Sequence, residues 1–176
     1  AKKCYAALVM GSPEREAVLL DYLLRDERSN NTMISAEGVE GAKPARMSYT
    51  ATAAHNGLTL LNIALQSGRH HQIRVQLASR GIPIWGDQRY NPHAYAGQQI
   101  ALWAYSLEIE HPTQRVPMRF ISLPTGQVWD SFSNDLAALL AGVRLVYIDD
   151  NIIAADKQAG LSVAIDDGED DTLEAR

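Results

Sequence analysis

The run Lys3 to Gly11 alternates weakly between apolar and polar positions and is rich in Tyr, Val and Leu. It closes on Gly11-Ser12-Pro13, which predicts a strand followed by a turn. Glu14 to Asp26 admits either a short helix or an irregular excursion. Asn30 to Pro44 is polar and contains glycine, as a loop or a loose hairpin would be. Met47 to Ala54 and Leu58 to Gln66 predict two strands joined through His55-Asn56-Gly57, where Asn-Gly is a hairpin signal. Ile73 and Leu77 then recur at four-residue spacing, Gly81 supplies a stop and Pro83 follows, which predicts a helix of about three turns. Ile100 to Ile109 and Pro117 to Leu123 predict another antiparallel pair, and Gln127 to Leu140 has helical composition ending at Gly142. Beyond it, Val143 to Tyr147 reads as a strand, Asp149-Asp150-Asn151 as a turn and Ile152 to Asp156 as a second strand. Strands, hairpins and isolated helices follow one another without the strand–helix repeat of a parallel sheet. The expected fold class is therefore α+β, with a mainly antiparallel or mixed sheet and few helices.

Composition narrows the class. A length of 176 residues with 46% hydrophobic content suits one globular domain, residues 1–176, rather than two or a disordered chain. No apolar run reaches the ~20 residues of a membrane span; the uncharged stretch Gly97 to Leu107 reads instead as a buried strand. The single Cys4 excludes a disulfide framework and a cysteine zinc site. Ala1-Lys2-Lys3-Cys4-Tyr5 leads directly into the first strand pattern with no secretory signal, so the expected location is cytoplasmic. There are 16 Lys and Arg against 21 Asp and Glu, a formal charge of −5, where phosphate-binding proteins are usually basic. The distribution is uneven, however. Arg69-His70-His71-Gln72-Ile73-Arg74, continuing to Arg80, carries no acid, whereas Asp166-Asp167-Gly168-Glu169-Asp170-Asp171 concentrates them.

Four stretches carry a family pattern. Ser67-Gly68-Arg69-His70-His71-Gln72-Ile73-Arg74, with Gly81-Ile82-Pro83-Ile84-Trp85-Gly86-Asp87 and Tyr90 behind it, resembles the T-G-R-T-H-Q-I-R and G-x-P-I-x-G-D-x-x-Y signature of the RluA-type RNA pseudouridine synthases. Lys3 to Gly11 looks like that family's K-x-Y-x-A-x-V-x-G strand, and Leu102-Trp103-Ala104, Leu107 and His111-Pro112 like its L-H-A-x-x-L-x-x-x-H-P segment. Leu145 to Asn151 through Asp156-Lys157-Gln158-Ala159-Gly160-Leu161 resembles its opening, Y-E-D followed by D-K-P-A-G-L. Thr172-Leu173 fits the short motif that comes next.

The departures are of two kinds. Ser67, His70, Trp103 and Gln158 stand where the family has Thr, Thr, His and Pro, which is ordinary variation. More consequentially, the family's opening motif stands at the end of this chain, and the H-R-L-D-x-x-T-S-G segment that carries the catalytic aspartate is not in it. Leu24-Arg25-Asp26 is the nearest look-alike, but Asp26 lies downstream of the K-x-Y strand, in the wrong context. A circular order with one gap accounts for both departures. On that reading residues 1–133 are the family's C-terminal portion, residues 143–176 its N-terminal portion, and Asn134 to Gly142 the joint; exposed, neighbouring termini tolerate such a change. No S4-type RNA-binding domain is visible.

The resemblance implies isomerisation of uridine to pseudouridine in ribosomal or transfer RNA. The N1–C1′ bond breaks, the base turns, and C5 takes the place of N1. Nothing is oxidised or reduced, so the implied cofactor list is empty: no nucleotide, redox group or metal. RNA is the implied partner, with no membrane, and the chain is expected as a monomer. The target base must leave its stack and enter a pocket. By resemblance Tyr5 packs on the uracil ring and Arg74 pairs with the catalytic aspartate; on the residues alone, Tyr5 is a core strand tyrosine and Arg74 a solvated helix arginine. Ile73 and Leu77 nevertheless put Arg74 beside the inner stripe, where a buried guanidinium needs a partner. Arg69 and His70, at the expected helix start, are candidates for a backbone phosphate or for capping the loop. Gln72 and His71 hold that loop, with Gln72 carried as a substrate-binding candidate, and Lys157 is by resemblance a strand-end residue near the cleft. Asp87 and Tyr90 read as a turn that buttresses the site. Adjacent His70 and His71 diverge on a helix and make a poor metal pair. The alternative function is a catalytically dead RNA-binding module of the same fold.

Overall fold

The computed structural model describes residues 2–140 together with the backbone of Leu145–Ile148 and Ile153–Ala155. Nine strands form one sheet: β1 (Lys2–Met10), β2 (Glu16–Asp26), β3 (Asn31–Ser35), β4 (Lys43–His55), β5 (Leu58–Leu65), β6 (Leu102–Glu110), β7 (Pro117–Ile121), β8 (Leu145–Ile148) and β9 (Ile153–Ala155). Their order is β3-β2-β4-β5-β1-β6-β7-β9-β8, and each neighbouring pair runs antiparallel. Two short helices, α1 (Gln72–Ala78) and α2 (Ser133–Leu139), accompany the sheet among the described residues, the second entered through a 3-10 turn at Asp130–Phe132. The α+β expectation holds, with the sheet antiparallel rather than mixed.

The first strand of the chain is the central one. Ala6, Ala7, Leu8 and Val9 are each fully buried, because both faces of β1 are covered. Directly opposite residues of an antiparallel ladder share a face, so the register gives one row as Tyr5, Ile63, Tyr49 and Ala17. Two residues on from Ala17 come Leu19 and then Asp21. Asp21 accepts from Gln76 Nε2 at 2.6 Å and from Arg80 at 3.0 Å, which fixes α1 over this same face. Ile73 and Leu77 of α1 join Leu19, Met47 and Ile63 in the core. The opposite face is closed by Trp129, Phe132 and Leu136, with His55 of β4 bonded to Asp135 at 2.9 Å and edge-on to Phe132.

Three local expectations need correction. Glu14 to Asp26 is neither helix nor irregular: residues Glu16 to Leu23 pair with β4 throughout. The predicted three-turn helix has only seven residues, roughly two turns. It tightens at its end, where Arg80 N–H reaches Leu77 O and Gly81 N–H reaches Ala78 O, three residues back rather than four. Gly97 to Ala101 precedes the strand instead of belonging to it, β6 starting at Leu102. The Asn56-Gly57 hairpin forms as its sequence demands, both residues having positive φ of 52° and 77°. The expected turn at Asp149-Asp150-Asn151 and the site candidate Lys157 lie outside the described residues.

Candidate active site

The site is assembled around the loop that follows α1. This loop returns to β1: Met10 N–H donates to Pro83 O, Trp85 N–H to Leu8 O, and Val9 bridges to Ile84. Gly86 comes next with φ of +75°, packed so tightly on the Gln99 carbonyl that any Cβ would collide with it. The strand that carries Tyr5 therefore also fixes where Asp87 stands.

Asp87 is 1% exposed and meets Arg74 of α1 in a two-pronged pair, Nε to Oδ2 at 2.8 Å and Nη2 to Oδ1 at 2.5 Å. Its Oδ1 also accepts the backbone N–H groups of Arg89 at 3.0 Å and Tyr90 at 3.2 Å. Burial pushes the Asp87 carboxyl up, but Arg74 and those two N–H groups outweigh it and hold the group below the ordinary carboxylate range. The carboxylate on Arg74 in this chain is thus Asp87, thirteen positions away, a partnership the sequence reading did not contain. Arg74 Nη1 has no partner among the described residues. The guanidinium also lies 5.0 Å from the Tyr90 ring centroid. Tyr5 is half-buried on the same sheet face that α1 covers, in the row with Ile63 and Tyr49.

A second set of bonds ties the β2–β3 hairpin to this centre. The Tyr90 hydroxyl accepts Thr32 N–H at 2.8 Å and meets His71 Nδ1 at 2.9 Å, while Thr32 Oγ1 meets His70 Nδ1 at 2.9 Å. Arg89 Nη1 donates to the carbonyls of Ser29 and Asn30 and to Asn31 Oδ1. The two imidazoles stack with centroids 3.7 Å apart. Burial, with the charges of Arg74, His70 and Arg89, brings His71 down to about 4, and burial with Arg25, Arg74 and Arg89 lowers His70. Both rings are therefore neutral near pH 7. His71 stands before α1 in a left-handed conformation, φ 50°.

The remaining candidates fall on either side of this loop. Gln72 is 2% exposed, and its Oε1 accepts Ser67 Oγ–H and Arg69 N–H, both at 3.0 Å. These two bonds hold the loop in shape. Arg69 is exposed, its Nε donating to Pro44 O at 3.0 Å, and with His70 it lines a cleft of about 470 Å³ between the loop that precedes α1 and the β2–β3 hairpin. Asp26 caps the hairpin turn instead, accepting from Arg28 N–H and Ser29 Oγ–H. Those bonds hold its carboxyl below the usual range. Among the described residues, no group of three or more His, Cys, Asp and Glu side chains gathers as a metal site would require, and no helix is long and apolar enough to cross a membrane.

Comparison with known proteins agrees with the signature. Residues 1–79 match the family described as RNA pseudouridylate synthase. The chain is 34% identical over 155 residues to ribosomal large subunit pseudouridine synthase D of Nitrosomonas europaea, an alignment covering 81% of this chain and 41% of that protein. To ribosomal large subunit pseudouridine synthase C of Haemophilus ducreyi it is 30% identical over 131 residues, covering 70% and 40%. The chain thus spans about two fifths of the length of these relatives. Among solved structures, human RNA pseudouridylate synthase domain containing 1 superposes with a TM-score of 0.58 at 22% identity, over 78% of this chain and 66% of that one. That likeness concerns the fold. Signature, alignment and sheet agree, and the chain belongs to the RluA-type family of RNA pseudouridine synthases.

Proposed function

We propose that this chain is the greater part of the catalytic domain of an enzyme that isomerises uridine to pseudouridine in ribosomal or transfer RNA, working through an aspartate supplied by a segment the chain does not contain. Tyr5 offers its ring to the flipped-out uracil. Arg74, clamped along one edge by Asp87, turns its free Nη1 toward the incoming carboxylate and keeps it ionised beneath the sugar. Arg69 and His70 meet the RNA backbone, and the protein acts in the cytoplasm as a monomer without a cofactor. Residues 143–176 are, on this reading, the family's N-terminal portion; in support, β9 pairs with β7 in the common sheet.

The observation that carries the proposal is the buried Arg74–Asp87 pair, anchored through the Pro83–Trp85 loop to the strand that bears Tyr5. A guanidinium fixed so closely, with one N–H edge left over, suits the positioning of a second carboxylate. The test is tritium release from C5-labelled uridine in bulk ribosomal and transfer RNA. The 176-residue chain should release none, since loss of a nucleophile costs on the order of a millionfold in comparable enzymes. The chain rebuilt with an H-R-L-D-type segment should turn over without added metal or nucleotide. In the rebuilt protein Arg74→Ala should abolish release, whereas Tyr5→Phe should keep RNA binding. Appreciable release by the chain alone would overturn the assignment of the nucleophile. RNA binding with no turnover in the rebuilt protein would favour a binding module.

A further inference from the structure

The cleft beside Arg69 and the neutral His70 draws two cations from other elements, Arg25 of β2 and Lys43 of β4. Five ion pairs occur among the described residues, and none of them involves Arg25, Lys43 or Arg69. All three side chains are exposed, and among the described residues Glu27 is the one acid that lines the cleft. Two of the guanidiniums are held in place by neutral groups, Arg25 through Asn30 Oδ1 at 3.0 Å and Arg69 through the Pro44 carbonyl. Among the described residues no carboxylate pairs with either charge. In a chain of net charge −5, three cationic side chains from three elements around one cleft run against the composition. Burial lowers the proton affinity of His70, and the charges of Arg25, Arg74 and Arg89 lower it further, in keeping with the cations gathered there.

We propose that this cleft is a backbone-binding subsite, in which Arg25, Lys43 and Arg69 take phosphates of the RNA strand flanking the target uridine. The inference rests on the reading of the chain as an RNA-modifying protein, and it adds β2 and β4 to the RNA-contacting surface. Contacts of this kind position the strand without reading its sequence. Lys43 is the most informative residue, because among the described residues its side chain makes no hydrogen bond that its removal would break.

The experiment is fluorescence anisotropy of a labelled, mixed-sequence, single-stranded 12-nucleotide RNA against the 176-residue chain, titrated across a series of KCl concentrations. Each phosphate contact contributes about 0.7 to the slope of log affinity against log salt for a single strand. Lys43→Ala and Arg25→Ala should each lower the slope by about that amount and weaken low-salt binding about fivefold. Lys43→Arg should restore both. Arg115→Ala, which removes an exposed arginine already paired with Glu110, should change neither. Wild-type slope and affinity in the cleft variants, or no RNA binding by the wild type, would overturn the subsite. Displacement of RNA by polyglutamate at matched charge would overturn the RNA assignment in favour of an acidic protein partner. Failure of the rebuilt enzyme to turn over, with the Lys43 effect intact, overturns the catalytic reading alone; turnover with unaltered binding in the variants overturns the subsite alone.

Discussion

Arg74 and Asp87 show what a single residue commits the molecule to. Arg74→Met leaves the Asp87 carboxylate buried without its counter-ion, which costs about 3 kcal/mol, the low end of the range for a broken buried pair because the Arg74 side chain is 20% exposed. Urea unfolding midpoints will measure it. Gly86→Ala meets both a positive φ and the Gln99 carbonyl, so it should displace the loop and with it Asp87. Its effect should exceed that of Gly57→Ala, a positive-φ position with open space around it. His71 gives a pH signature. The unfolded imidazole binds its proton near 6.5 and the folded one only at about 4, so between those values the unfolded state holds more protons. The contribution is complete above the upper value and is lost as pH falls through the window. His71→Gln should flatten the decline of the urea midpoint across that interval. Asp87, with its lowered folded value, adds a further loss only below the ordinary carboxylate range, where protonation breaks the pair.

At the scale of elements, the β2–β3 hairpin is positioned from outside itself. Tyr90→Phe removes the acceptor for the N–H of the buried Thr32, leaving an unpaired donor that costs about 1–2 kcal/mol locally. Hydrogen exchange at the Thr32 amide should accelerate while β1 and β5 keep their protection. Comparison of the β4–β5 hairpin with β2 separates what the sequence displays from what it conceals. Asn56-Gly57 was legible because a two-residue turn needs two positive φ angles, a local demand met by local residues. Glu16 to Asp26 was not: Leu19, Leu20, Leu23 and Leu24 recur at helical spacing, and only pairing with β4 makes the segment a strand. Val18 and Leu20 remain exposed on the face that α1 does not cover. Likewise the signature marked Arg74, Asp87 and Tyr90 individually. That the first two bond each other depends on a loop returning to β1, and no spacing between them announces it.

Over the whole molecule, β1 stands between β5 and β6 although its residues are among the earliest in the chain. Pairing it with β5 closes a loop of about 48 residues, whereas β2 with β3 and β4 with β5 are joined by short turns and close at little entropic expense. The order of folding should therefore invert the order of sequence. Pulse-labelled hydrogen exchange during refolding should protect amides of the β4–β5 hairpin before those of Cys4 to Val9, with Trp85, which bonds to Leu8, protected together with β1. A chain caught partway would keep its hairpins and lack its centre. Because Tyr5 and the anchor of Asp87 both belong to that centre, competence at the site becomes the last property the folding chain acquires and the first that partial unfolding removes.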